Sequence, residues 1–256
     1  MTATDLRRIQ AYLRVAAPRW REHEHIGPFL ATFSADTDNP YLNYAIPDDG
    51  ARPSPSEVDA LADAYRARDR KPRLEYIPKV APAVEPALVD AGFEVDARLP
   101  LMVHESRDDP SATDPVGIEL LFPGTDAELR GVATVQWEAY EEKGPVPEHA
   151  VTALRRTIEA GGSIVLARDA ATREPAGAGV CTAPHAGVTE LTSIGVRAPF
   201  RRRGIAEGMT RWLARRVRTS GVDRIFLMAD TERVAQIYAR AGFRTVSEVL
   251  CIVKNA

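Results

Sequence analysis

Apolar positions along this chain alternate between helix-like spacing and short strand-like runs. Leu6, Ile9, Leu13 and Ala16 share one face of a helix over 5–17, which Pro18 ends. The run 29–33 (FLATF) reads as a strand, and an Asp/Asn/Pro-rich turn separates it from a second strand over 41–46. Prolines at 53 and 55 break the chain, and Ser56 is placed to cap a helix running to about residue 70. A third strand over 73–77 and a proline-confined helix over 80–91 complete this half.

Residues 105–114 (ESRDDPSATD) lack any large apolar side chain and read as a linker. Beyond it the pattern predicts a strand over 117–121, a helix over 126–140, a Gly/Pro loop over 143–147 and a helix over 148–160. Strands over 163–168, 176–183 and 189–196 follow. Ile205, Met209, Trp212, Leu213 and Val217 fall on one face of a helix over 204–219, which Gly221 stops. A buried strand over 224–229, a helix over 233–241 closed by Gly242, and a strand over 245–253 end the chain. Strands alternating with helices give an α/β fold around a mixed sheet, divided into residues 1–104, a linker 105–114 and residues 115–256.

Composition adds limits. At 256 residues, 45% apolar and 27% charged, the chain can build one large domain or two of ordinary size. A net charge of -3 gives no global attraction to nucleic acid or an acidic membrane. Cys181 and Cys251 lie in apolar stretches, which suits core positions in a reducing, cytoplasmic setting and offers no metal-ligand pair. No apolar run is long enough for a signal peptide or a membrane span.

The two halves overlay at a constant shift of 150 residues. Val89-Asp90-Ala91-Gly92-Phe93 falls on Ala239-Arg240-Ala241-Gly242-Phe243, and the helix after Ser56 falls on the one after Gly204. Identities are few, but the order and length of elements match without a gap.

The run Arg201-Arg202-Arg203-Gly204-Ile205-Ala206 sits between a strand and an amphipathic helix. The first turn of a helix carries unpaired N–H groups and partial positive charge, which makes it an anion site. Gly204 and Ala206 let a phosphate approach the backbone, Glu207 lies in the same turn, and arginines add bidentate donors. A nucleotide pyrophosphate suits such a site. A bare arginine cluster would be ordinary solvated surface; the strand–loop–helix context separates the two readings.

Three segments together resemble the GNAT superfamily of acyl-CoA-dependent N-acyltransferases: Leu191–Val196, the loop Arg201–Ala206, and Tyr238-Ala239-Arg240-Ala241-Gly242-Phe243. The loop fits the family pattern (Gln/Arg)-x-x-Gly-x-(Gly/Ala), and the resemblance covers residues 116–256. It implies two GNAT-like domains, the first shortened and without the CoA motif, and acetyl-CoA or another acyl-CoA as co-substrate with no metal. It assigns the pantetheine arm to the backbone of Ile194, Gly195 and Val196. The pyrophosphate goes to Arg201, Arg202, Arg203, Gly204, Ile205, Ala206 and Glu207. Tyr238 matches the tyrosine beside the departing thiolate, and a phenol can donate a proton there. Glu190, on the strand face expected to carry Ile194, matches a general-base glutamate of some members.

Glu232 departs from the family's frequent Asn three residues before the alanine matched to Ala235. Trp137 and Glu138 stand beside the expected acceptor pocket, in an aromatic and acidic group with Tyr140, Glu141 and Glu142; a helix with one solvated face explains the latter two equally well. His149 and His185 read as exposed histidines, and Cys181 as a small core residue. At the 150-residue shift Arg201, Gly204, Ala206, Tyr238 and Glu190 become Ala51, Ser54, Ser56, Leu88 and Pro40, so one site per chain is expected. The expected function is acyl transfer from acyl-CoA to a small-molecule primary amine; the other reading is an acyl-CoA sensor without turnover. The helix arginines are spread around its axis with no aromatic interleaving, so nucleic acid is not an expected partner. Exposed strand edges permit a homodimer.

Overall fold

The computed structural model describes residues 2–35, 37–105 and 114–255, and all but the two ends of the expected linker 105–114 lie outside them. The chain forms two compact units, Met1–Leu101 with Thr245–Ala256, and Met102–Arg244.

In the first unit, α1 (Ala3–Ala16) starts at Thr2, whose side chain and that of Asp5 bond each other's backbone in a capping box. The strands are β1 (Glu22–Ile26), β2 (Phe29–Phe33), β3 (Ala45–Pro47), β4 (Arg73–Tyr76) and β5 (Glu94–His104), with helices α2 (Pro55–Arg66) and α3 (Val84–Asp90). β1, β2 and β3 pair antiparallel, whereas β3 and β4 are parallel, with Ala45 opposite Leu74. The last strand, β11 (Phe243–Val253), pairs antiparallel with β4 through Leu250–Val253, so the chain's final residues belong to this unit rather than with 115–244. The core holds Ile9, Tyr12, Phe29, Ile46, Leu61, Tyr65, Leu74 and Leu88. Gln10, fully buried among them, is satisfied at both ends of its amide: it donates to Pro47 O at 3.2 Å and accepts from Ile77 N at 3.0 Å.

Several expectations shift here. Instead of a strand over 41–46, Pro40–Leu42 form a 3-10 turn, because Asn39 caps Tyr41 N at 3.0 Å and Asn43 bonds two carbonyls of the same loop. The cap of α2 is Ser54, not Ser56, since Glu57 three residues on completes a capping box, and the helix ends at Arg66 rather than near residue 70. α3 begins only at Val84. β1 and β5 lack a sequence signal because their exposed positions are charged, as in Glu22-His23-Glu24-His25 and Glu94, Asp96 and Arg98.

The second unit holds β6 (Ile118–Leu121), α4 (Asp126–Ala139), α5 (Glu148–Glu159), β7 (Ser163–Asp169), β8 (Pro175–Cys181), β9 (Val188–Val196), α6 (Ile205–Thr219), β10 (Arg224–Met228) and α7 (Glu232–Arg240). Its sheet runs β10-β9-β8-β7-β6; β6 to β9 pair antiparallel and β9–β10 is parallel. The alternation of β7 splits its side chains between two cores. Ile164 and Leu166 join Val132, Val135, Val151 and Leu154 of α4 and α5, while Val165 and Ala167 join Ile205, Met209, Leu213 and Val217 of α6. Cys181 is fully buried in the second of these cores, and burial pushes its thiol far up, so it is an inert packing residue.

At the 150-residue shift, the cap Ser54 coincides with the cap Gly204, the first residue of α2 with that of α6, and Gly92 with Gly242, both at positive φ. The parallel pair β3–β4 coincides with β9–β10.

Candidate active site

β9 is paired on one side only along half its length. Its ladder with β10 has three rungs, the last being Glu190 with Phe226. Beyond Glu190 the two strands share no rung, and the edge of residues 191–196 is open. On the other side, the register with β8 shifts between Ala178 and Val180, because Ala178 faces Gly195 while Val180 faces Thr192. One extra residue on β9 therefore makes a bulge, and Ser193 holds it at φ 55°. A left-handed conformation costs a non-glycine residue about 1–2 kcal/mol, a strain that such a site retains when it serves geometry.

The bulge inverts the side-chain alternation. Leu191 packs in the core under α6, and Ile194 packs against the same core. A Cβ on Gly195 would instead meet Ala139 and Val135 of α4. Glu190, next to Leu191, thus projects toward α4, on the opposite face from Ile194. The expected sharing of a face between Glu190 and Ile194 is overturned, because a uniform period of two does not survive an inserted residue. Thr182 fixes the Glu190 backbone, donating its N–H to Glu190 O at 2.9 Å and accepting from Glu190 N at its hydroxyl, 3.1 Å away.

The open edge leads to α6. Arg202 and Gly204 both have positive φ, 64° and 73°, which curls the loop so that successive N–H groups converge. Gly204 caps α6 without a side chain, and the helical ladder starts only with Gly208 N to Gly204 O at 2.9 Å. The N–H groups of Ile205, Ala206 and Glu207 consequently have no acceptor within the helix. A Cβ on Gly204 would meet no atom within 4 Å, so the approach to this turn is clear.

These parts enclose a cleft of about 580 Å³. Ile194, Gly195 and Val196 line it from β9, and Arg201, Arg202, Gly204, Ile205, Ala206 and Glu207 from the loop and first helical turn. Arg201 donates from Nε to Val196 O at 3.1 Å, which ties the loop to the strand end. Arg203 is absent from the lining: its guanidinium lies over the Phe200 ring and 4.0 Å from the Asp169 carboxylate. The Glu207 carboxylate is bound by Arg211 and Arg240, so this residue offers the cleft its N–H. Ala139 and four residues of α7, Arg233, Gln236, Ile237 and Arg240, complete the wall. The α7 set recurs at helical spacing with two arginines, a face the sequence displays but whose partner only the fold reveals.

Tyr238 follows Ile237 and packs edge-on against Phe243, ring centroids 6.2 Å apart. Burial, and then the proximity of Tyr140 and Asp230, push its phenol well above the ordinary range, so it holds its proton. Tyr140 is raised by burial and by Asp230, although the residue as a whole remains 54% exposed. Trp137 and Glu138 do not reach the cleft. Trp137 donates from Nε1 to Gly144 O at 3.0 Å, bracing the 143–147 loop. Glu138 is paired with Arg197 at 2.7 Å. The side chain capping α7 is Thr231, which accepts from Val234 N at 3.2 Å, so Glu232 stands one residue past the cap and its departure from Asn removes no capping group. His149 and His185 are exposed, on α5 and on the turn before β9. Among the described residues no group of three or more His, Cys, Asp or Glu could hold a metal ion, and no helix is long and apolar enough to cross a membrane.

Residues 129–243 match the family model of the acetyltransferase (GNAT) family. No curated protein sequence is significantly similar to the chain. Among solved structures, the chain is similar to a GCN5-related N-acetyltransferase from Kribbella flavida at 23% identity and TM-score 0.79, covering 98% of this chain and 96% of that one. It is also similar to a GCN5-related N-acetyltransferase from Sphaerobacter thermophilus, at 17% identity, TM-score 0.66 and coverage of 99% and 93%. A third is a tandem GNAT protein from the clavulanic acid biosynthesis pathway, at 15% identity, TM-score 0.64 and coverage of 88% and 77%. Such likeness establishes the shared mixed α/β fold.

Proposed function

We propose that this chain, whose residues 129–243 match the acetyltransferase (GNAT) family model, transfers an acetyl or other acyl group from acyl-CoA to a primary amine by direct attack. The observation that carries the reading is one continuous cleft joining the open edge of β9 to the uncapped first turn of α6. A thioester arm extended along Ile194–Val196 has unpaired strand amides beside it, and such amides stabilise the oxyanion of a carbonyl under attack. The pyrophosphate end fits the N–H groups of Ile205–Glu207 with Arg201 and Arg202, charge and dipole acting together.

The bulge assigns sides. Ile194, α6 and α7 bound the donor side, whereas Glu190 and Thr192 face α4, from which the acceptor enters. As the amine attacks, its C–N bond forms and the C–S bond breaks. Tyr238, protonated across the physiological range, gives its proton to the leaving thiolate, and Glu190 receives the proton lost by the amine. In this reading the first half of the chain is a degenerate copy. Its α2 end is closed by the Ser54–Glu57 capping box and by Pro55, which has no N–H, so it offers no anion site and the chain has one active centre.

The test is a panel of primary amines with acetyl-CoA, following release of free thiol. Turnover that Tyr238→Phe lowers while CoA binding persists supports the reading. CoA binding without thiol release across the panel overturns it in favour of a non-catalytic acyl-CoA sensor.

A further inference from the structure

Arg197 is the first residue after β9, between the open strand edge and the arginine-glycine loop. Its N–H donates to Ala176 O at 3.0 Å, which pins the strand end to β8. Its carbonyl accepts from Phe200 N at 2.9 Å and starts the 3-10 turn Ala198–Phe200 that leads into the loop. The side chain is 19% exposed and joins two further segments. Nε donates to the Glu138 carboxylate of α4 at 2.7 Å. Nη1 donates to the Glu174 carboxylate at 2.6 Å and to Pro175 O, at the start of β8, at 2.9 Å.

Glu138 is set against its own helix. It lies in the last turn of α4, where the helix dipole disfavours an acid, and that turn contains no basic residue. The cation comes instead from Arg197. The next residue, Ala139, lines the cleft, and a Cβ on Gly195 would come within 2.7 Å of its methyl. One guanidinium therefore holds the Ala139 wall against the strand segment Ile194–Val196. Glu174 shares that guanidinium at similar exposure, 49% against 46% for Glu138. Neither Glu174 nor its neighbours in sequence line the cleft.

We propose that Arg197 is a positioning residue: through Glu138 it fixes the last turn of α4 as the cleft wall opposite Gly195, and so sets the fit of the acyl-CoA arm. This rests on the acyl-transfer reading. The pair touches no substrate and acts through Ala139. Position and charge pull CoA affinity in opposite directions when Glu138 is neutralised. Removing an acid makes the cleft more positive, which by itself tightens an anionic ligand. Releasing the wall loosens it. The sign of the change therefore separates a positioning role from a purely electrostatic one, and Glu174 supplies the control for a general loss of stability.

The experiment measures CoA binding by calorimetry, steady-state turnover of acetyl-CoA with one amine, and unfolding midpoints. Glu138→Gln is expected to weaken CoA binding and raise KM for acetyl-CoA about threefold to fivefold, the loss of one half-exposed pair. Its kcat and its KM for the amine should stay within about twofold. Glu174→Gln should lower the unfolding midpoint as much and leave CoA affinity within about twofold. Arg197→Lys should keep part of the affinity, because an ammonium lacks the fork that spans both carboxylates. Adding Glu138→Gln to Arg197→Ala should bring no further loss, since the two act as a unit. Unchanged or tighter CoA binding in Glu138→Gln, or equal weakening in Glu174→Gln, overturns the proposal. CoA binding that depends on Glu138, without thiol release from the wild-type protein, sinks acyl transfer and leaves the positioning role standing. Absence of CoA binding by the wild-type protein overturns both.

Discussion

Ser54 and Gly204 each cap a helix, 150 residues apart, and only Ser54 closes the end it caps. Its hydroxyl accepts from Glu57 N at 3.4 Å, and Glu57 Oε2 returns a bond to Ser54 N at 2.7 Å. Those bonds hold the Glu57 carboxyl below its usual range. Gly204 has no side chain to offer, so the N–H groups of the turn behind it keep no side-chain acceptor from the cap.

Replacing Gly204 with alanine introduces no clash, since its Cβ would meet open space. The expected loss is the left-handed backbone penalty of about 1–2 kcal/mol, seen as a lower unfolding midpoint, together with weaker CoA binding by calorimetry. A gain in stability would show that the loop is not held at positive φ.

Ser54→Ala should cost about 1 kcal/mol of stability through the lost cap and leave CoA affinity unaltered. Denaturant unfolding and CoA titration of the one variant separate the two effects. A fall in CoA affinity would mean that the first half does take part in binding.

Gly195→Ala places a methyl 2.7 Å from the Ala139 Cβ, and neither backbone has a flexible side chain to yield. The strand and α4 must separate, at about 1–3 kcal/mol, and KM for acyl-CoA should rise, because Gly195 lines the cleft. Wild-type stability and KM together would contradict the close approach.

The arginine run should not act as a unit. Arg202→Ala should raise KM for acyl-CoA severalfold, whereas Arg203→Ala should leave it within about twofold, because Arg203 is turned to Phe200 and Asp169. Equal effects would show that its guanidinium swings into the cleft.

Burial raises the phenols of Tyr65, Tyr76 and Tyr238 in the folded protein. A raised folded pKa keeps the proton on the native state, so the stability these groups contribute is whole below the unfolded value near 10 and declines as pH rises above it. Unfolding measured from pH 8 to 11 should therefore lose stability only beyond about pH 10, and the activity limb due to Tyr238 should not fall earlier. An activity loss centred near pH 8 that vanishes in Tyr238→Phe would show that burial does not raise this phenol.

The sequence by itself determined the elements that carry a clear period or a punctuating residue. The helical face of Ile205, Met209, Leu213 and Val217, the stop at Gly221 and the arginine-glycine loop at 201–206 are local properties, set by side-chain spacing and backbone freedom within a few residues. Most of the cleft lining in β9 and α6 was legible for that reason. Contacts between distant segments decided the rest. The bulge at Ser193 depends on pairing with β8, so the face of Glu190 could not be read from alternation alone. The placement of β11 against β4 is a choice among strand partners that β11's own apolar run does not encode. The contacts of Arg203 with Asp169, of Trp137 with Gly144 and of Glu138 with Arg197 join segments far apart in the chain, so only the fold shows them.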